Sequence, residues 1–295
     1  MARRGASPAT SLGGLVRLVH PFPSLLCSAA TGAIAALAGA DPWMSVRLFA
    51  AMLGIQCSIG ALNDLVDAPL DAVEKPRKPI PSGLVTRRTA GIVAIGGGAA
   101  AIGLSLVSGA GTALVAAACL GLGWTYDLRL SRTLLSWLPL SLALPLLPIH
   151  AWLGATGSIP GGLLGLVPVG ALAGGGLALA NALADVERDS SVRRRTLAVQ
   201  LGARRAWWVQ TLALATAALL TVILVPAIIE AGSSSSLGVL GTLQLGGIWL
   251  GALALGAGAL ALASGQARVR ERGWELEAIG VAGLGIGWLA GIAAA

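Results

Sequence analysis

The chain has 295 residues, of which 56% are hydrophobic and only 11% charged, far too apolar for an ordinary water-soluble domain. A net charge of +7 would suit nucleic acid if the basic residues shared a soluble face, but they are scattered through short gaps between apolar runs, which argues against such a partner. A lipid bilayer is the solvent this composition calls for, and at about 20 apolar residues per crossing one membrane domain accounts for residues 1–295.

In chain order the apolar runs lie at about 22–40, 46–66, 89–108, 110–125, 134–153, 162–184, 206–229, 238–263 and 276–294. The expected fold class is all-α, a polytopic membrane bundle of about nine transmembrane helices. Arg3 and Arg4 ahead of the first run mimic a secretory leader, but His20-Pro21-Phe22-Pro23 interrupts it, which suits a first span better. The third and fourth runs are separated only by Ser108-Gly109-Ala110-Gly111, a tight hairpin. Gly96-Gly97-Gly98 and Gly174-Gly175-Gly176 let helix backbones approach closely in lipid. Cys27, Cys57 and Cys119 fall inside apolar runs and act as small hydrophobes, with neither disulfide nor zinc spacing.

Positive charge predicts the orientation, because short cytoplasmic loops carry the Lys/Arg excess. With the N-terminus inside and the gaps read alternately, 19 of the 20 basic residues fall on one side and only Arg47 on the other. Losing one span would flip every later loop, so this asymmetry favours nine spans over eight. The expectation is a multi-pass protein of the plasma membrane whose active site faces the cytoplasm.

Two of the in-facing helix ends share a pattern. The second run finishes as Asn63-Asp64-Leu65-Val66-Asp67-Ala68-Pro69-Leu70-Asp71 and the sixth as Asn181-Ala182-Leu183-Ala184-Asp185-Val186-Glu187-Arg188-Asp189. Four-residue spacing places successive oxygens about 6 Å apart along one helix face, so two ladders of hard oxygen ligands are expected. Carboxylates at the end of an apolar helix need a cavity and a partner. Magnesium prefers such oxygens and is commonly held by a few carboxylates together with substrate phosphates. Basic segments follow each ladder, Glu74-Lys75-Pro76-Arg77-Lys78-Pro79 and Arg193-Arg194-Arg195-Thr196, and suit phosphate oxygens. Without metal the ladders would hold many like charges together. Asp67→Asn and Asp185→Asn are therefore expected to lose activity while leaving stability unchanged or slightly raised.

These residues resemble the UbiA superfamily of intramembrane prenyltransferases. Asn63-Asp64-x-x-Asp67-x-x-x-Asp71 is similar to that family's first signature, and Lys75-Pro76-Arg77-Lys78-Pro79-Ile80-Pro81-Ser82-Gly83 to the segment after it. Asp185-x-x-x-Asp189 with Thr196-Leu197-Ala198-Val199 resembles the second, and Arg17, His20-Pro21 and Tyr126 extend the likeness over the whole chain. The resemblance implies a bundle around a central cavity, with Asn63, Asp64, Asp67, Asp71, Asn181, Asp185 and Asp189 holding two magnesium ions and a prenyl diphosphate. It implies that Lys75, Lys78, Arg132 and Arg194 neutralise the leaving diphosphate, that Tyr126 covers the diphosphate or the allylic cation, and that a lipophilic acceptor attacks. The family's pattern is not met everywhere. Lys78 stands where an arginine is usual, Arg193-Arg194-Arg195 replaces Gly-Lys-Lys, and Arg132 takes the place of a lysine after Tyr126. A lone His at a helix start is more often an interfacial contact, so His20 stays outside the predicted site. Two other readings stay open: a terpene cyclase on the same scaffold, acting on the prenyl diphosphate without an acceptor, and a membrane transporter using its acids as an ion path.

Overall fold

In the computed structural model, residues 8–191, 194–231 and 239–294 are described, and among them every regular element is helical. The chain begins with α1 (Pro8–Leu18), which turns by 67° into α2 (Pro21–Leu37). The break is written in His20-Pro21: a residue before proline avoids the helical region, and His20 takes φ 50°, ψ 74°. Helix α1 lies over the loop that follows the first acidic motif. Gly14 meets Leu84 and Val85 so closely that a Cβ would sit 2.9 Å from Leu84 Cβ, and Arg17 Nη2 donates to the Arg77 carbonyl at 2.6 Å.

Helix α3 (Pro42–Glu74) has 33 residues, about 50 Å of helix against a hydrocarbon core of about 30 Å. Asp41 starts it, its side chain accepting from Trp43 N at 2.8 Å and Met44 N at 3.0 Å, with Pro42 in the first turn. Because the helix runs on through Pro69, the first acidic motif stays continuous with the span. Helix α4 (Arg87–Leu106) packs on α3 where a Cβ on Gly54 would lie 2.9 Å from the Gly97 carbonyl. Gly98 is equally tight against Leu120, whereas Gly96 faces open space.

After Gly109 (φ 120°), α5 (Ala110–Thr125) returns and ends in a π turn at Tyr126–Leu130. The fifth run is two short helices, α6 (Leu138–Ala143) and α7 (Leu146–Thr156), meeting at Pro145. Next come α8 (Gly161–Gly165) and α9 (Val167–Ala184), then α10 (Val186–Ser191) and α11 (Leu197–Leu201). Helix α9 sits on α6 through Gly174, whose Cβ would clash with the Leu140 carbonyl. The chain closes with α12 (Ala203–Ala231), α13 (Val239–Leu262) and α14 (Ala267–Ala294). Glycines hold the last two together: a Cβ on Gly247, Gly251 or Gly258 would come 2.7 Å from the carbonyl of Gly283, Gly280 or Gly273. Such contacts drive association in lipid, where burial of apolar area does not.

Among the described residues seven helical segments are long and apolar enough to cross a membrane, and the bent pair of α1 and α2 makes an eighth if counted as one span. With 16 residues, α5 is shorter than that measure. The structure therefore agrees with a multi-pass helical bundle but does not by itself give the count of nine.

Candidate active site

The two acidic motifs meet at one end of the bundle. Asn63, Asp64, Asp67 and Asp71 stand on α3, while the second motif is split: α9 stops at Ala184, Asp185 leaves helical geometry (φ −108°, ψ 10°), and Asp189 lies on α10. The first ladder runs along one helix as expected. The second does not, since the break at Asp185 turns Asp189 onto a separate helix; Asn181 remains on α9, exposed, one turn before Asp185.

Cations thread between these acids. Lys78, in the loop after α3, folds back to place Nζ 2.8 Å from Asp64 Oδ1 and 2.9 Å from Asp71 Oδ2. Both aspartates are buried, so the ammonium is their nearest compensation. Burial alone would lower the Lys78 ammonium, but hydrogen bonding and charge from Asp64, then Asp71, outweigh it and hold it above its ordinary value. Asp64 Oδ1 also lies 3.1 Å from His20 Nε2, so the left-handed His20 belongs to the cluster it was expected to miss.

Two contacts cross from one motif to the other. Lys75, which follows the first, lies 3.4 Å from Asp185 Oδ2, and Asp185 Oδ1 is 2.7 Å from Arg188 Nη1. Arg194, which follows the second, lies 3.6 Å from Asp67 Oδ2 and 3.5 Å from Asp189 Oδ1. Asp67 Oδ1 accepts from Arg132 Nη2 at 2.8 Å, and Arg195 N donates to the Arg132 carbonyl at 3.2 Å. The arginine run therefore ties the Tyr126 loop to both motifs; Arg193 lies outside the described residues. This wiring corrects the expectation of uncompensated repulsion between two ladders. Asp64, Asp67, Asp71, Asp185 and Asp189 each have a basic partner within 4 Å.

Tyr126 and Asp127 line the same region from the π turn. Burial, then the Asp127 charge, push the Tyr126 hydroxyl up to about 12. Burial also raises the Asp127 carboxyl to about 7, against a hydrogen bond from Asn63 that favours its charge. The Asp189 carboxyl is likewise above its ordinary value, chiefly through burial, with Arg194 opposing. Asp127 was not among the expected site residues, and neither was the ion pair between Glu187, in the second motif, and buried Arg270 on α14. Spacing reveals neither, because each partner lies more than 60 residues away.

Among the described residues no three His, Cys, Asp or Glu side chains converge tightly enough to make a metal cage on their own. The donors nonetheless suit a hard cation: they are all oxygens, and the buried Glu74 Oε1 and Asp127 Oδ2 have no hydrogen-bond partner. A weak protein site completed by ligand oxygens is what such an arrangement can build. An apolar crevice of about 400 Å3 between α6, α9 and α12, lined by Trp137, Leu172, Leu197 and Val209, lies apart from these acids.

Residues 24–279 match the model of the UbiA prenyltransferase family. The chain belongs to that family. Over 98 residues it is 36% identical to the digeranylgeranylglyceryl phosphate synthase of Methanopyrus kandleri, an alignment spanning 33% of this chain and 36% of that protein. Its backbone is similar to a UbiA homolog from Aeropyrum pernix K1, with TM-score 0.69, 19% identity, and 92% of this chain and 96% of that one covered. A UbiA homolog from Archaeoglobus fulgidus bound to GPP and Mg2+ also has TM-score 0.69, at 14% identity, covering 94% and 99%. At such identities the structural likeness speaks for the fold. In this UbiA-family chain the two motifs that carried the resemblance are also the two that the fold brings together.

Proposed function

We propose that the protein transfers a prenyl group from a prenyl diphosphate to a lipophilic acceptor, with magnesium, at the acidic end of its bundle. The single observation that carries this reading is the cross-bridging of the two motifs by Lys75 and Arg194. It puts five carboxylates and five cations, Arg188 included, in one place, a combination suited to a polyanion bound through metal. The synthase activity named for the Methanopyrus relative and the ligands of the Archaeoglobus homolog agree with it.

In this reading Asp64, Asp67, Asp71, Asp185 and Asp189, with Asn63 and Asn181, hold the magnesium. When bound, the metal neutralises charge that develops on the departing diphosphate. Lys75, Lys78, Arg132 and Arg194 leave their carboxylates and turn to the diphosphate oxygens, placing fixed positive charge where negative charge grows. Tyr126, half-buried and kept protonated, closes the site from the π turn and offers a hydroxyl that does not compete as an anion. The apolar helices above the acids exclude water from the allylic cation. We further propose nine crossings in one domain over residues 1–295, with the acidic end toward the cytoplasm at the plasma membrane, supported by the placement of 19 basic residues on one side.

The test is purified protein in lipid nanodiscs, given a prenyl diphosphate, magnesium and a panel of lipophilic acceptors, with products read by mass spectrometry. Diphosphate release together with a prenylated acceptor is expected, and excess chelator abolishes both. No diphosphate release from any prenyl diphosphate, or undiminished turnover in chelator, overturns the reading. A cyclised hydrocarbon formed without acceptor would assign the cyclase instead.

A further inference from the structure

Asn63 carries an amide, and only its oxygen can serve a hard cation, while its nitrogen can only donate. Which atom is offered depends on what holds the other. In this structure Asn63 Nδ2 donates to Asp127 Oδ1 at 3.0 Å, which leaves Oδ1 as the atom available to a metal ion. Asp127 is 4% exposed, and its Oδ2 has no hydrogen-bond partner among the described residues. In the ionised form that the Asn63 hydrogen bond favours, a buried carboxylate facing an amide donor orients that amide, because an amide turned the other way would set two acceptors against each other.

Local structure fixes Asp127 in that position. The π turn, closed by Ser131 N donating to the Tyr126 carbonyl at 2.8 Å, follows directly on the last turn of α5; such turns recur at functional sites. That last turn is pinned to α3. Trp124 Nε1 donates to Ser58 Oγ at 3.1 Å, Ser58 Oγ donates to the Ala94 carbonyl of α4, and the missing side chain of Gly123 leaves room for Ile59 of α3. Ser58 and Ile59 stand just before Asn63 on the same helix, so α5 grips α3 next to the amide it orients.

We propose that Asp127 is a positioning residue that holds the Asn63 amide with its oxygen toward the metal. The proposal rests on the reading of Asn63 as a magnesium ligand given above. Outer partners of metal ligands typically influence metal affinity by about 10- to 100-fold, and Asp127 belongs in that range because, among the described residues, it makes the one side-chain hydrogen bond of Asn63.

The experiment compares Asp127→Asn, which keeps an acceptor oxygen, with Asp127→Leu, which is close in shape and has none. Asp127→Ala is the second variant should leucine not be accommodated. Manganese binding in the presence of inorganic pyrophosphate, read by electron paramagnetic resonance on the full-length protein, reports the site without turnover. Prenyl transfer is measured alongside, as the magnesium concentration at half-maximal rate. Expected is a loss of manganese affinity of about tenfold or more in Asp127→Leu, a matching rise in the magnesium requirement, and Asp127→Asn within about twofold of the unmodified protein. Wild-type affinity in Asp127→Leu, or Asp127→Asn as impaired as Asp127→Leu, overturns the proposal while leaving the prenyl-transfer reading intact. Failure of the unmodified protein to bind manganese with pyrophosphate overturns the metal reading itself, and the proposal with it.

Discussion

Neutralising Asp67 and neutralising Asp185 should have different consequences for stability, although each removes one charged ligand of the proposed site. The Asp67 side chain is 14% exposed and pairs with Arg132 at 2.8 Å and Arg194 at 3.6 Å. Arg132 is half exposed and can return to water, so its share is that of a surface pair, about 0.2–1 kcal/mol. Arg194 is 20% exposed and, among the described residues, keeps only Asp189, at 3.5 Å, once Asp67 loses its charge. A poorly solvated charge deprived of a partner costs about 1–3 kcal/mol, so Asp67→Asn should destabilise by about 1–3 kcal/mol in all. The Asp185 side chain is 41% exposed, and its partners Lys75 and Arg188 are 35% and 38% exposed. All three can be hydrated in the variant, and a net change below about 0.5 kcal/mol is expected. Melting in detergent with excess chelator, by intrinsic tryptophan fluorescence, separates the two. Asp67→Asn should melt clearly lower and Asp185→Asn at the unmodified temperature, with prenyl transfer lost in both. Equal melting of the two variants, or a rise for Asp67→Asn, would refute the pairing argument and restore the view of the acids as mutually repelling.

Other expectations follow from packing and topology. Gly251→Val should destabilise by more than about 2 kcal/mol, since even a Cβ would sit 2.7 Å from the Gly280 carbonyl, whereas Gly256→Ala, with nothing within 4 Å, should be neutral; detergent melts of the two decide it. Reporter fusions after Gly83 and after Ala295 should report opposite compartments, the first cytoplasmic, and the same compartment for both would end the nine-span assignment.

The membrane class and the positions of the apolar runs were readable because a 20-residue apolar requirement overrides local propensity. The first acidic ladder was readable for a related reason: α3 continues through Pro69, so four-residue spacing kept its helical meaning. In the second motif the same spacing misled. Neither glycine nor proline marks the break after Ala184, and the turn at Asp185 is instead accompanied by tertiary pairing, with Lys75 on Asp185 and Arg194 on Asp189. Asp127 and Arg270 were missed because their partners, Asn63 and Glu187, are remote in sequence and no spacing rule links them. His20 reads in sequence as a single interfacial histidine, and the bend between α1 and α2 brings it to Asp64. Glycines that join α13 to α14 look like any others in a chain with 42 of them.

The pairing of acids with cations also predicts how the protein should respond to its own ligands. Lys78 is the sharpest case, because it serves two carboxylates at once, Asp64 and Asp71, both buried. Substitution by methionine keeps an unbranched side chain, one atom shorter, and removes the charge, so in chelator the two aspartates retain, among the described residues, only His20, on Asp64. Removing one partner of a buried pair costs about 3–5 kcal/mol, and the 20% exposure of Lys78 places this case toward the lower end. Magnesium together with pyrophosphate should then restore in the variant much of what the ammonium supplied, because a ligand that binds the folded form adds stability in proportion to RT ln(1 + [L]/Kd). The expected signature is a larger ligand-induced rise in melting temperature for Lys78→Met than for the unmodified protein, even though the variant has lost a cation that would otherwise meet the diphosphate and so turns over slowly. If Lys78 were instead needed to hold its loop against α3 in every state, the variant would melt low with and without ligand by the same margin. That result would separate the loop's architecture from the charge exchange on which the proposed chemistry depends.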